Sequence, residues 1–364
     1  MDRILATYRI TASETESRVR AEALASEQNV EMPVSAIDDP RVLQEIVARV
    51  EAIRPHAGQF DVVLGIAPAT TGNEASQLLN MLFGNCSLQP EVELVDVVFP
   101  AGYEKAFPGP RFGIEGIREV TGVHGRAITC TALKPQGSTV ERLAGLAGTF
   151  ALSGIDVIKD DHGLANQAFS PFAERVPAVQ KAIHEANAKS GGRTIYAPTF
   201  SGGSAQLRAQ ARIANDCGVG MALIAPMLAG VPAFIELRAD LGLPILAHPA
   251  FGGATRIAPP LLLGTLFRLF GADATIFPNH GGRFAYSRAT CLAIAAAARD
   301  RWAGLKPILP VPAGGMTVER IDEMTAAYGA DTMLLIGGGL LTAGRGLMEK
   351  SREFVRRVAQ PEAR

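Results

Sequence analysis

Cysteine is scarce in this chain of 364 residues. Its four thiols, Cys86, Cys130, Cys217 and Cys291, stand singly, without Cys-x-x-Cys spacing or the density of a disulfide scaffold. No zinc site is therefore indicated, and buried reduced thiols are expected. An excess of charge is missing as well: 35 Lys and Arg against 36 Asp and Glu leave a formal charge of -1, which argues against nucleic acid or a membrane surface as partner. No uninterrupted apolar run is long enough to span a bilayer, and Met1-Asp2-Arg3-Ile4-Leu5 lacks a basic stretch followed by a signal-length apolar run. These absences leave a cytoplasmic protein with a small-molecule partner as the expectation. What is plentiful is hydrophobic residue, 48%, over a length that suits two domains or one large barrel with an appendage.

The beginning of the chain reads differently from the rest. Residues 4–10, 59–66 and 92–99 have the composition of strands, and 73–83 that of a helix. Residues 13–26 form a predicted helix opened by a capping box, with Ser13 as N-cap and Glu16 reaching back to it. A further helix is expected after Asp39, with Val42, Ile46, Val47 and Val50 on one face. This order predicts a small α+β, ferredoxin-like domain over 1–115, left through the Pro- and Gly-rich segment 100–113.

From about residue 125 short apolar runs alternate with amphipathic stretches. The candidate strands are 127–133, 155–159, 194–198, 221–225, 244–247, 274–277, 308–312 and 333–336, a pattern that predicts a (β/α)8 TIM barrel over 116–364. A doubly wound open sheet competes, but no Gly-x-Gly-x-x-Gly turn follows the first of these strands. In such barrels the chemistry sits where strands end. The second strand ends in Lys159-Asp160-Asp161-His162, where Lys159, Asp161 and His162 form a candidate metal-binding group; taken in isolation the stretch is more simply a solvated turn with Lys159 paired to Asp160 or Asp161. The seventh and eighth strands end in Gly314-Gly315 and Gly337-Gly338-Gly339, at the positions where barrels commonly hold a phosphate on bare backbone N–H groups.

In these blocks the chain resembles the large subunit of ribulose-bisphosphate carboxylase, and more closely its RuBisCO-like, form IV relatives. The resemblance is carried by Phe107-Pro108-Gly109-Pro110-Arg111-Phe112-Gly113-Ile114, by Thr131-Ala132-Leu133-Lys134-Pro135, by Gly154-Ile155-Asp156-Val157-Ile158-Lys159-Asp160-Asp161 and by the two glycine clusters. It implies carbamylation of Lys159 by carbon dioxide, with the carbamate and two acids holding Mg²⁺. Those acids match Asp161 and the position here taken by His162. A neutral imidazole there leaves three outcomes open: weakened Mg²⁺ binding, a softer divalent metal, or no metal. Gln136 stands where the family has a second lysine, Pro249 where an arginine follows His248, and 281–286 carries no lysine, so true carboxylation is not expected.

The resemblance further implies enolate chemistry on a ketose monophosphate. Lys134 is the candidate base or acid, Lys159 the pivot of the electrophile, and His248 and His280 line the substrate cleft. Gly314, Gly315, Gly337 and Gly338 would hold the phosphate, and Arg283 either contacts the other end of the substrate or pairs with a nearby acid. Glu27 and Asn85 match family residues that complete the site of a neighbouring subunit, which makes a homodimer the expected assembly. Three activities fit: an enolising isomerase of the methylthioribulose 1-phosphate type, a decarboxylase or carbon–carbon cleaving enzyme of a 3-oxo sugar-acid phosphate as in apiose degradation, or an inactive phosphate-binding regulatory barrel.

Overall fold

The computed structural model describes residues 3–302 and 304–359, so that Met1 and Asp2 of the N-terminal reading lie outside the described residues. Contacts divide the chain into two compact units. The first runs to Pro108 and also takes in Gly252–Leu262; the second holds Gly109–Phe251, Leu263–Trp302 and the chain from Lys306 on.

The first unit is built on an antiparallel sheet of β1 (Ile4–Ile10), β2 (Arg49–His56), β3 (Gln59–Ile66) and β4 (Val92–Val98), in the order β2-β3-β1-β4. Burial alternates strictly along β1, which leaves one face for the helices Glu14–Glu27 and Ala75–Phe83. The Ser13 N–H donates to Glu16 Oε2 at 3.3 Å, the reach-back expected of the capping box. The helix expected after Asp39 is corrected: only a single π-helical turn, Val42–Ile46, forms, and β2 follows it. The apolar spacing of Val42, Ile46, Val47 and Val50 satisfies a helical period, but Ala57 and Gly58 both adopt positive φ, 47° and 82°, and close a two-residue hairpin with His56 opposite Gln59. Pairing with β3 therefore decides the state of a segment that is mostly exposed and carries little local signal.

The second unit contains nine parallel strands among the described residues: β5 (Ile128–Leu133), β6 (Val157–Asp160), β7 (Ile195–Ala197), β8 (Thr199–Phe200), β9 (Ala222–Ile224), β10 (Ile245–Ala247), β11 (Ala274–Pro278), β12 (Leu309–Ala313) and β13 (Met333–Leu335). Pro198, which has no N–H, splits one strand into β7, paired with β6, and β8, paired with β9. Eight strand positions result, those of a (β/α)8 barrel. The ladder is interrupted between β12 and β13, for a reason visible in the sequence Leu309-Pro310-Val311-Pro312-Ala313. Leu309 donates to Asp273 O on the β11 side, so the alternate residues Pro310 and Pro312 face β13 without a proton to donate. Thr332 Oγ1 donates to Pro310 O at 3.0 Å and bridges the gap.

Inward-facing Ile128, Cys130, Val157, Leu223, Leu246, Ile276, Val311 and Met333 fill the barrel, together with Ile114 and Ile117 of the helix Gly113–Thr121. Two acids at strand starts set the registers below the site. Asp156 accepts from the Thr129 N–H at 2.8 Å and from both ends of Arg126, and Asp273 accepts from the N–H groups of Gly113 and Ile245 at 2.8 and 2.9 Å.

Candidate active site

Strand alternation separates the three polar residues that end β6. Lys159 faces the same side as Val157, into the barrel, where its partners in register are Ala132 and Ala197, so small neighbours leave the lysine stem its space. It is 3% exposed, and its Nζ donates to the Asp160 carbonyl at 2.9 Å. Burial, with the Lys134 charge nearby, pulls the Lys159 pKa down. The side chain of Asp160 is fully buried and accepts from Tyr196 OH at 2.7 Å, Arg175 Nε at 3.1 Å and the Thr199 N–H at 3.1 Å. Arg175 also donates to Ser170 O and Ala165 O, at 2.5 and 2.8 Å, which ties down the loop that follows the site. The solvated-turn reading of Lys159-Asp160-Asp161 is thus replaced by a buried framework. Arg175 and Tyr196 lie too far along the chain from Asp160 for spacing to reveal them.

Asp161 emerges into the site with both oxygens engaged. Lys134 Nζ donates to Oδ2 at 2.7 Å, and His162 Nδ1 lies 3.1 Å from Oδ1. Burial acts to raise its pKa, but the His162 and Lys134 contacts outweigh this and hold the carboxyl far below the usual range. The His162 ring stacks on His248, with centroids 4.2 Å apart and an interplanar angle of 10°. His248 Nδ1 accepts from the Ala250 N–H at 3.1 Å, and burial followed by the charge on Lys159 pushes the ring pKa down to about 2. The imidazole is neutral, and its Nε2–H is a donor. Lys134, Lys159, Asp161, His162 and His248 thus form one cluster.

The other predicted residues fall elsewhere. His280 pairs with Glu323 rather than with this cluster. Arg283 is exposed and lies over the Phe284 ring, with its N–H donating to Gly314 O at 3.0 Å. Gln136 donates to Gly163 O at 3.2 Å. In the first unit Asn85 Nδ2 donates to Glu27 Oε1 at 3.0 Å. The glycines divide by cause. A Cβ at Gly282 would lie 2.0 Å from Gly314 O and one at Gly339 2.6 Å from Met316 O, while Gly314 and Gly315 both sit at φ +89°, so close approach and backbone conformation account for these four. Gly338 has open space around a would-be Cβ and no left-handed φ, and Gly337 makes only ordinary contacts, the nearest at 3.5 Å to Ala132 and 3.6 Å to Lys134. Neither glycine is required by packing, and both stand beside Lys134 or next to a residue that does.

Residues 113–241 match the catalytic domain of the ribulose bisphosphate carboxylase large chain. Over 98% of its length the chain is 53% identical to ribulose bisphosphate carboxylase-like protein 1 of Rhodopseudomonas palustris, of which it covers 98%. The chain belongs to the RuBisCO-like, form IV family. Another family member, the 5-methylthioribulose-1-phosphate isomerase of Rhodospirillum rubrum, is 50% identical over 100% of this chain and 98% of its own. The crystal structure of a Rubisco-like protein from Rhodopseudomonas palustris superposes with a TM-score of 0.93 at 51% identity, covering 100% of this chain and 99% of that one.

For the divalent metal that RuBisCO relatives use, this RuBisCO-like chain offers a mixed donor set. Among the described residues no group of three or more His, Cys, Asp or Glu is placed to hold a metal. The fit therefore depends on Lys159, whose pKa burial pulls down and whose amine would have to add carbon dioxide. With a carbamate there, Asp161 and an imidazole nitrogen of His162 would make a set of oxygens and one nitrogen, poorer in charge than Mg²⁺ prefers.

Proposed function

We propose that the protein isomerises a ketose 1-phosphate of the 5-methylthioribulose type through an enediolate, without carboxylating it. The chain is an enzyme of the sugar-phosphate isomerase and enolase type, in keeping with its 50% identity to an isomerase of that substrate. The observation that carries the proposal is the placement of Lys134 against Asp161 at 2.7 Å, in one cluster with Lys159 and the neutral His248. Lys134 carries a proton between the carbon beside the ketone and the neighbouring carbon, so no atom is gained or lost. His248 donates its Nε2–H to a substrate oxygen, and the N–H groups of Gly337 and Gly338, with Gly314 and Gly315, receive the phosphate. Carbamylated Lys159, Asp161 and His162 would hold a divalent cation, which when bound supplies a Lewis acid for the carbonyl.

Arguments against carboxylation come from the same residues: Gln136 is spent on Gly163 O, and Pro249 has no charge to offer a second phosphate. We further propose a cytoplasmic homodimer in which Glu27 and Asn85 of one subunit complete the other's site. No helix among the described residues is long and apolar enough to cross a membrane. Mixing inactive Lys134→Ala and Glu27→Ala subunits should then restore activity that neither has alone. The decisive experiment incubates the enzyme with 5-methylthioribulose 1-phosphate in heavy water. Deuterium at the carbon beside the carbonyl in recovered substrate and isomer is expected; release of carbon dioxide from a 3-oxo acid phosphate without such exchange would replace the isomerase by a decarboxylase.

A further inference from the structure

The helix Ile321–Tyr328, which follows β12, grips the end of β11 at successive residues. Tyr328 OH donates to Asn279 Oδ1, and Asn279 Nδ2 lies 3.0 Å from Met316 Sδ. At the next residue, His280 Nε2 stands 2.9 Å from Glu323 Oε1. Arg320 holds that glutamate with a two-pronged grip, Nε to Oε2 at 2.9 Å and Nη2 to Oε1 at 2.8 Å, and its Nη2 also donates to the His280 carbonyl at 2.9 Å. A guanidinium fork of this kind fixes direction as well as charge. Arg320 keeps Glu323 below the usual carboxylate range, and an ionised carboxylate has no proton to give. The hydrogen between the two groups therefore belongs to Nε2.

His280 Nδ1 is buried and has no hydrogen-bond partner among the described residues. The two nitrogens of an imidazole point in diverging directions, so Nδ1 is turned away from the glutamate that holds Nε2. Leaving a buried polar atom unpaired costs about 1–3 kcal/mol, and such an atom calls for an explanation. We propose that Glu323, clamped by Arg320, is a positioning residue that holds His280 as the Nε2–H tautomer and leaves Nδ1 as a bare acceptor for a proton of the substrate. This deepens the proposed function, on whose isomerase reading it rests, by adding His280, which pairs outside the Lys134–Asp161 cluster, to the groups that meet the substrate. The proton Nδ1 accepts is returned to the substrate within the same turnover, so the isomerisation stays balanced. The competing account is an ordinary ion pair at the start of a helix, in which Glu323, 47% exposed at its side chain, contributes little and serves stability alone.

The test has a spectroscopic and a kinetic arm, both on the full-length protein. With ¹⁵N-labelled histidine and His280→Gln to assign the signal, the free protein should show His280 protonated at Nε2 and bare at Nδ1. In Glu323→Ala that preference should be lost, and in Glu323→Gln, whose amide oxygen still accepts, it should survive. With 5-methylthioribulose 1-phosphate, kcat and kcat/KM of Glu323→Ala should fall together, by roughly 10-fold or more, as for the loss of one hydrogen bond to a charged group. Glu323→Gln should recover most of the loss. The double variant His280→Ala/Glu323→Ala should be no slower than His280→Ala. A free-protein tautomer protonated at Nδ1, or equal losses from Glu323→Ala with and without His280, overturns the positioning role. Full activity in His280→Ala also overturns it, while the isomerase reading, which moves its proton through Lys134, is tested apart from this by the deuterium exchange of the parent.

Discussion

Lys134 Nζ donates to Asp161 Oδ2 across 2.7 Å, so the candidate proton-transfer group is also the counter-ion of a candidate metal ligand. Substituting the lysine should act on both. Lys134→Ala is expected to slow deuterium exchange about 10²–10⁴-fold while Mn²⁺, titrated in bicarbonate, binds more tightly because Asp161 has lost its ammonium partner. Lys159→Ala should lose metal binding and exchange together. Parental exchange rates in Lys134→Ala would assign the base to another group.

A second expectation concerns pH. The His248 pKa lies at about 2 in the folded protein, while an unfolded histidine titrates near ~6.5. Below that value the unfolded chain binds a proton that the folded one refuses, so this contribution to stability is lost as pH falls from ~6.5 towards 2, with a slope of at most about 1.4 kcal/mol per pH unit. Urea unfolding of the parent and of His248→Gln between about pH 7 and pH 5 checks this. The variant should show the flatter dependence, and identical slopes would refute the neutral ring.

The glycines after β13 should separate by substitution. Gly338→Ala keeps its N–H and meets open space, so it should leave thermal stability intact, while its Cβ obstructs the approach of the phosphate to that N–H and raises KM roughly tenfold or more, the weight of one charge-assisted hydrogen bond. Gly339→Ala places a Cβ 2.6 Å from Met316 O and should instead destabilise by about 1–3 kcal/mol. Unchanged KM in Gly338→Ala would move the phosphate elsewhere.

Arg175→Met leaves the buried Asp160 carboxylate without its cation. We expect a loss of about 3–5 kcal/mol in unfolding free energy, measured by urea titration, together with loosening of the turn that carries Asp161 and His162. A loss below about 1 kcal/mol would mean that Tyr196 and the Thr199 N–H satisfy Asp160 without it.

How much of this was legible beforehand depends on the range of the interaction. Buried parallel strands are short apolar runs closed by polar residues, so the eight strand positions and the chemistry at the ends of β5, β6 and β10 could be read from local pattern, and Ser13 with Glu16 announced a helix start because the cap closes within one turn. Blocks such as Leu133-Lys134-Pro135 also carried the family resemblance. The strand Arg49–His56 was not legible, because pairing with β3 rather than its own composition holds it extended. Nor were the distant partners of Asp160, Asp161 and His280, namely Arg175, Tyr196, Lys134 and Glu323, which lie 15 to 43 positions away. An inward or outward direction follows from alternation along a single strand, but a hydrogen bond between two loops exists only once the barrel has brought them together. The amino-acid sequence thus determined which groups stand at the rim; closure of the barrel decided which of them meet, and hence which lysine is paired, which histidine is neutral and which nitrogen is left free.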